Sequence, residues 1–328
     1  MNADAIQLTA TIRKQHLSAM NRLPISTPED AIQRTKTVLA EKAVIGDVSD
    51  CLRFKPSHTS ILSGRFGHNR AIFRLALSEK DATDLAETWH ELNRIASFMS
   101  EGKYQAPRGL AYYEDDALLT TTQAKGEALL PLLQSPDGLE LVHHIAKWLE
   151  AYSNPTIEWR DAKTAFWLKQ AEKASSKQPH QVLRAREIKI LAVIRSLASR
   201  LNDQKWRVAI THGDYHPNNL LWDGETLTGI DIGGSAYLPI YKDMARTAVH
   251  LSRREILKGY ASEMGVNANL LAAFDDSFEL TEFERQVALP FFIGFECLIK
   301  VEQPNAPNWR IEAAERFYDE FLADTRNV

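Results

Sequence analysis

Residues 209–235 read AITHGDYHPNNLLWDGETLTGIDIGGS. Polar groups crowd between apolar runs here: His212, Asp214, His216 and Asn219 come first, and Asp231 follows. Asp223-Gly224 is a strong turn signal, so WRVAI (206–210), NLLWD (219–223) and LTGIDI (227–232) read as short strands. A loop carrying Asp214 and Asn219 that faces a strand end carrying Asp231 can place three oxygen-bearing side chains around one small volume. Carboxylate and amide oxygens suit a hard cation such as Mg²⁺. Phosphoryl transfer needs this set: a carboxylate beside the attacking hydroxyl, and oxygen ligands for a metal that meets nucleotide phosphates. The plain alternative is turn chemistry, since Asp and Asn form Asx turns unaided. A third reading is a metal-dependent hydrolase, because alternation would bring His212, Asp214 and His216 to one face of a strand. Against it, Pro217 bends the segment at once and no further histidine cluster lies near.

The chain has 328 residues, 44% hydrophobic and 25% charged, a length that predicts two lobes rather than one core. A formal net charge of -4 gives no broad basic field, so no nucleic-acid partner is expected. Cys51 and Cys297 are far apart in apolar surroundings and read as reduced core residues of a cytoplasmic protein. The opening MNADAIQLTATIRKQH lacks the basic start and apolar centre of a secretory signal. The most apolar window, VALPFFIGFECLIKV (287–301), carries Pro290, Glu296 and Lys300, which predicts a buried helix and no membrane partner. A monomer or homodimer is expected.

Residues 1–45 read as a helical N-terminal extension, with Thr27, Pro28 and acidic residues at a helix start. Residues 46–124 read as a small β-rich lobe. DCLRFKPSHTSILSGRFGHNRAIFRLAL (50–77) holds three short runs broken at Pro56-Ser57 and Gly67-His68-Asn69, an antiparallel meander. In 78–99, Leu85, Trp89, Leu92, Ile95 and Phe98 recur at helical spacing, and DDALLTTTQ (115–123) reads as another strand. Residues 125–328 are mainly helical, apart from the opening segment.

HGDYHPNN (212–219) resembles the H-G-D-x-H-x-x-N motif of the aminoglycoside phosphotransferase and choline kinase group, and IDIGGSAYLPIYKDMAR (230–246) resembles the stretch that follows it there. The same order, H-x-D-x-x-x-x-N and then an Asp-Gly strand end, marks protein kinases. The resemblance is sharp over 209–247, looser over the β-rich lobe, and fades in the last third.

It implies an α+β, bilobal protein-kinase-like fold, with 46–124 the nucleotide-binding lobe and 125–328 the catalytic and substrate-binding lobe. It further implies an enzyme that moves the γ-phosphate of ATP, or of GTP, to a hydroxyl of a small molecule. Asp214 would be the catalytic base, and Asn219 and Asp231 the Mg²⁺ ligands. His212 and His216 would shape the loop, and Asp243 would anchor the next helix start.

In the β-rich lobe, such a fold uses a third-strand cation that pairs with a helix glutamate. Here the third strand offers Arg74 instead of Lys, with Lys55 as competitor. The resemblance favours Glu91 over Glu87 as partner, because its distance to Pro107 is more similar to the family's. Gly64 and Gly67 are candidates to cover phosphates, although a plain β-turn explains them equally. Backbone groups near Thr121 to Gln123 would meet the nucleotide base.

The acceptor-side stretches SNPTIEWRDAKTAFW (153–167) and FECLIKVEQPNAPNWR (295–310) mix Glu158, Asp161, Glu296 and Glu302 with Arg160, Lys163 and Arg310. Aminoglycoside sites are strongly acidic, so the mixture favours a sugar, amino alcohol or hydroxy-amino acid over an aminoglycoside. Trp159, Trp167 and Trp309 are candidate stacking surfaces or simply core and rim aromatics. Arg74 in place of Lys also motivates a nucleotide-binding pseudokinase or regulatory protein.

Overall fold

The structure, a computed structural model, describes residues 25–233 and 236–326. The first 24 residues of the expected helical extension lie outside the described residues, as does Gly234. The chain divides into two compact units. One runs to Lys125 and also takes in Thr228–Gly234; the other comprises Gly126–Leu227 and the chain from Ser235 onward.

In the first unit, helix α1 spans Pro28–Glu41. Its start is fixed by a capping box: Thr27 Oγ1 accepts from Asp30 N at 3.1 Å, and the Asp30 carboxylate accepts from Thr27 N at 3.0 Å. Strands β1 (Gly46–Lys55), β2 (Thr59–Phe66) and β3 (Asn69–Ala76) form the expected antiparallel meander. The two-residue turn between β2 and β3 places Gly67 at φ +58°, where a side chain is disfavoured. Helix α2 (Glu79–Met99) starts at Ser78, whose hydroxyl accepts from Asp81 N. Strands β4 (Gly109–Tyr113) and β5 (Leu118–Thr122) complete a five-stranded sheet in the order β1-β2-β3-β5-β4. Ala31, Val38 and Leu39 of α1 share one core with Val48, Leu62, Ala71, Phe73, Leu75 and Leu118. The described part of the extension is therefore built into the core of this unit. Cys51 packs half-buried at its edge, and Cys297 of the other unit is fully buried; both are free thiols.

The second unit is mainly helical. In chain order it holds β6 (Glu127–Ala128), α3 (Val142–Ser153), β7 (Glu158–Asp161), α4 (Ala165–Ser175), α5 (Gln181–Leu201), β8 (Lys205–Thr211) and β9 (Leu220–Trp222). Then come β10 (Ala236–Pro239), α6 (Tyr241–Ser252), α7 (Ala268–Phe278), α8 (Leu289–Ile299) and α9 (Asn308–Asp324). Strand β8 is flanked antiparallel by β7 and β10. The apolar window read as a buried helix is α8, and Phe291, Phe292, Ile293 and Leu298 are among its buried residues. Gly294 lets neighbouring helices approach: a Cβ there would sit 2.4 Å from Ile194 Cγ2 and 3.0 Å from Phe321 Cζ. Among the described residues no helix is long and apolar enough to cross a membrane. The expected α+β class, a β-rich N-terminal part followed by a helical one, is what the chain forms.

Candidate active site

In the second unit the segment 212–219 follows β8. The strand ends at Thr211, and the chain turns at Gly213, which has φ +79°. His212 is 1% exposed and packs among the rings of Trp148, Tyr152 and Tyr215. The alternation that would align His212 with His216 is thus broken by the turn. Among the described residues no group of three or more His, Cys, Asp or Glu side chains is placed to hold a metal ion.

The loop is tied to α6 at two points. Gly213 N donates to Asp243 Oδ2 at 3.1 Å, and Thr247 Oγ1 donates to Tyr215 O at 2.9 Å. Asp243, expected to anchor the helix start as a cap, instead sits fully buried inside the first turn and fastens the loop. Tyr215 Oη donates to Ile145 O of α3 at 2.6 Å, which pins the loop from the other side. Pro217–Asn219 form a single 3₁₀ turn, and Asn219 Nδ2 donates to Asp214 O at 3.0 Å. That bond uses one of the amide's two N–H donors on the loop and leaves Oδ1, an acceptor, as the atom for another ligand.

Asp214 is half-exposed, with 53% of its side chain accessible. Arg246 of α6 donates to Oδ1, and His216 Nε2 lies 3.5 Å from the same oxygen. The hydrogen bond from His216, opposed by partial burial and joined by the Arg246 charge, holds this carboxyl far below the usual carboxylate range. His216 stacks on His250 of α6, with centroids 4.6 Å apart. Glu296 of α8 is fully buried, with Lys242 Nζ and an Arg246 nitrogen each at 4.0 Å. Burial pushes its carboxyl up, and Lys242 and Arg246 oppose that shift.

Arg246 was not singled out by sequence reasoning. Its signal was available: Lys242, Arg246 and His250 recur every fourth residue, one stripe of α6. The carboxylates that stripe meets come from segments distant in sequence, so the pairing was not readable.

In the first unit Asp231 adopts φ +61°, a left-handed backbone uncommon for a non-glycine residue. Its half-exposed carboxylate lies 3.3 Å from Arg74 Nη1. Arg74 stands on β3 opposite Ile61 and Leu119, and its Nε is buried without a hydrogen bond. Glu91, expected to meet Arg74, is instead bonded by Arg94 one helical turn on, with Nε to Oε2 at 2.8 Å. Arg74 therefore takes the Asp231 carboxylate in place of the helix glutamate. Gly233 fits against α2, where a Cβ would fall 2.4 Å from Thr88 Oγ1.

Lys55 is exposed at the end of β1 and Gly67 faces open space. Gly64 is required by strand packing, because a Cβ there would lie 2.0 Å from Asp47 O. Thr121 is buried in β5, and Gln123 N donates to Arg70 O at 2.9 Å. Of the acceptor-side tryptophans, Trp167 is a core residue packed on Phe292 and Phe295, whereas Trp159 and Trp309 are exposed.

A sequence profile described as the phosphotransferase enzyme family matches residues 63–276. The chain belongs to the phosphotransferase enzyme family. No curated protein matches it. Among solved structures, aminoglycoside phosphotransferase APH(4)-Ia aligns with TM-score 0.55 and 15% identity, covering 90% of this chain and 98% of that one. Aminoglycoside 2'-phosphotransferase-IIIa, solved as a GDP complex, aligns with TM-score 0.56 and 13% identity over 89% of this chain and 98% of that one. Amicoumacin kinase hAmiN, solved with AMP-PNP, Ca²⁺ and Ami, aligns with TM-score 0.54 and 10% identity over 90% and 96%. This phosphotransferase thus has the protein-kinase-like fold that its motif implied.

Proposed function

We propose that this phosphotransferase moves the γ-phosphate of ATP, or of GTP, to a hydroxyl of a small molecule, with Asp214 meeting that hydroxyl. The observation that carries the reading is the ionised, half-exposed Asp214 carboxylate on a loop fastened at Gly213 and Tyr215 to α6. A carboxyl with so low a proton affinity is a weak base. Its contribution is to orient the hydroxyl and accept the proton late, in a reaction where positioning and charge stabilisation dominate. Arg246 fixes the carboxylate's direction, and His216 supports the same oxygen.

The donor set fits Mg²⁺: Asn219 keeps an uncommitted amide oxygen, and Asp231 offers a half-exposed carboxylate. Those two residues would hold the ion, which when bound neutralises nucleotide phosphates. Arg74, a planar fork with an unused buried Nε, would meet phosphate oxygens beside Asp231. Aminoglycoside 2'-phosphotransferase-IIIa with GDP and hAmiN with AMP-PNP support a nucleotide of either base.

The test is ADP release with Mg·ATP over a panel of hydroxylated small molecules. Asp214→Ala should lower turnover by about 10²–10⁴ and keep the rise in melting temperature that Mg·ATP gives. Asp231→Ala should lose that rise. Near-normal turnover by Asp214→Ala would rule out the assigned role.

One observation favours a second reading, a nucleotide-binding regulatory protein: Arg74 occupies the Asp231 carboxylate. A melting shift with Mg·ATP but no acceptor-dependent ADP release would select it.

A further inference from the structure

A cavity of about 100 Å³ lies in the second unit where α6, α8 and the start of α9 meet. It is lined by His250, Arg253, Arg254, Lys300, Val301, Trp309 and Arg310. Four of these side chains are cationic and none is acidic. One carboxylate, Glu302, serves two of the four: Arg253 donates to it, and Arg310 Nε lies 2.8 Å from its Oε2. Among the described residues, Lys300 and Arg254 have no carboxylate within ion-pair distance. Burial, with the Arg246, Arg253 and Arg254 charges and against Glu296, pushes the Lys300 ammonium down to about 8.

His250 adds a neutral donor. An Arg254 nitrogen lies 3.3 Å from His250 Nδ1, and a guanidinium only donates, so Nδ1 accepts and the proton sits on Nε2. Burial and the surrounding cations hold the ring neutral, its pKa pushed down to about 2. Nε2 is buried with no hydrogen-bond partner, on a residue 5% exposed. Two uncompensated cations and an unused N–H donor at one small cavity are the complement of an anion.

We propose that this cavity binds a carboxylate or phosphate group of the acceptor, so that the substrates are hydroxylated acids rather than polycations. The proposal rests on the kinase reading above for its reactive end. The geometry joins the two ends: His250 stacks on His216, and His216 Nε2 lies 3.5 Å from Asp214 Oδ1. An acceptor that spans this pair of rings presents its hydroxyl to Asp214 and its anion to Lys300 and Arg254. Trp309, 53% exposed at the cavity, offers a flat apolar face to the carbon skeleton. A polycationic acceptor would meet like charge here.

The test uses the full chain and polyols that differ at one end: gluconate, sorbitol and glucamine, with glycerol 3-phosphate and inorganic phosphate as further probes. Calorimetry gives dissociation constants, and coupled ADP release gives turnover. Gluconate or glycerol 3-phosphate should bind about tenfold tighter than sorbitol, as expected for hydrogen bonds to a charged group, and glucamine weakest. The tighter of the two anions identifies the group. Lys300→Met should cost the anions about tenfold and leave sorbitol unchanged. Arg254→Gln, at a more accessible position, repeats the measurement should Lys300→Met melt early.

Equal affinity for the three polyols, tightest binding of glucamine, or no anion binding in the millimolar range overturns the proposal. Anion binding that depends on Lys300, without ADP release from any acceptor, supports the cavity and removes the kinase reading. ADP release from sorbitol or glucamine with no preference for the acids does the reverse.

Discussion

The Asp214 carboxylate carries the reading, and its neighbours set its proton affinity. His216, and then Arg246, keep it ionised well below the ordinary carboxylate range. Because the folded pKa is depressed, protonation of Asp214 should not limit kcat/KM anywhere above about pH 4, near the ordinary Asp value. Arg246→Met removes a charge and a hydrogen bond while burial, which raises the pKa, stays. The acid limb of the pH profile should then move up by roughly one unit or more, the usual effect of an adjacent arginine. The measurement is kcat/KM against pH for both proteins, and an unmoved limb would show that Arg246 does not govern this carboxylate. His212, Asp214 and Asn219 were legible as residue types at fixed spacing. Arg246 was not, because its importance comes from packing a stripe of α6 against a loop far away in sequence.

Elements whose pattern is local were legible and those made by pairing were not. The meander β1–β3 showed its turns as Pro56-Ser57 and Gly67-His68, and α8 showed itself by unbroken hydrophobicity. Strand β7, Glu-Trp-Arg-Asp, is exposed throughout and has no alternation; it exists because β8 offers it a free edge. Strand β8 is also where the second unit is fastened. Arg207 of β8 meets Glu284 through Nε at 2.6 Å and Nη2 at 3.0 Å, and its Nη1 donates to Phe278 O at 2.7 Å. Tyr241 Oη and Thr281 N donate to the same Glu284 carboxylate at 2.6 and 2.8 Å. Burial raises that carboxyl's pKa, and the bonds from Arg207, Tyr241 and Thr281 outweigh it, so the net shift is downward. Glu284→Gln leaves a buried guanidinium without its counter-charge and should cost about 3–5 kcal/mol of unfolding free energy. In the parent protein this contribution is complete above the unfolded Glu value, near pH 4.5, and is lost as pH falls through the lower folded value. Urea melts of the two proteins from pH 7 down to about pH 2 check both statements. A variant whose midpoint matches the parent at pH 7 would mean that the pair is not a fastening.

At the scale of the molecule, the contact pattern divides the chain at Lys125–Gly126. What composition could not show is that Thr228–Gly234 returns to the first unit. That return gives Arg74 its carboxylate, Asp231, and sets Gly233 against Thr88. Its cause is long-range: only a residue without Cβ fits beside α2, and nothing near Gly233 in sequence announces that neighbour. The hydrophobic cluster of the first unit is nonetheless drawn wholly from residues 31–118. A core that closes within its own segment predicts that the first unit unfolds as its own cooperative step, the situation in which a chain departs from two-state behaviour. The seven tryptophans divide usefully, since Trp89 is in the first unit and the other six, Trp148, Trp159, Trp167, Trp206, Trp222 and Trp309, are in the second. Phe73 is fully buried in the first core, and Phe73→Ala should cost that unit about 3–5 kcal/mol. With 5-fluorotryptophan incorporated, the Trp89 fluorine resonance should melt at lower denaturant in the variant while the other six keep their midpoints. If all seven resonances move together, the segment 228–234 couples the two cores strongly enough that they unfold as one.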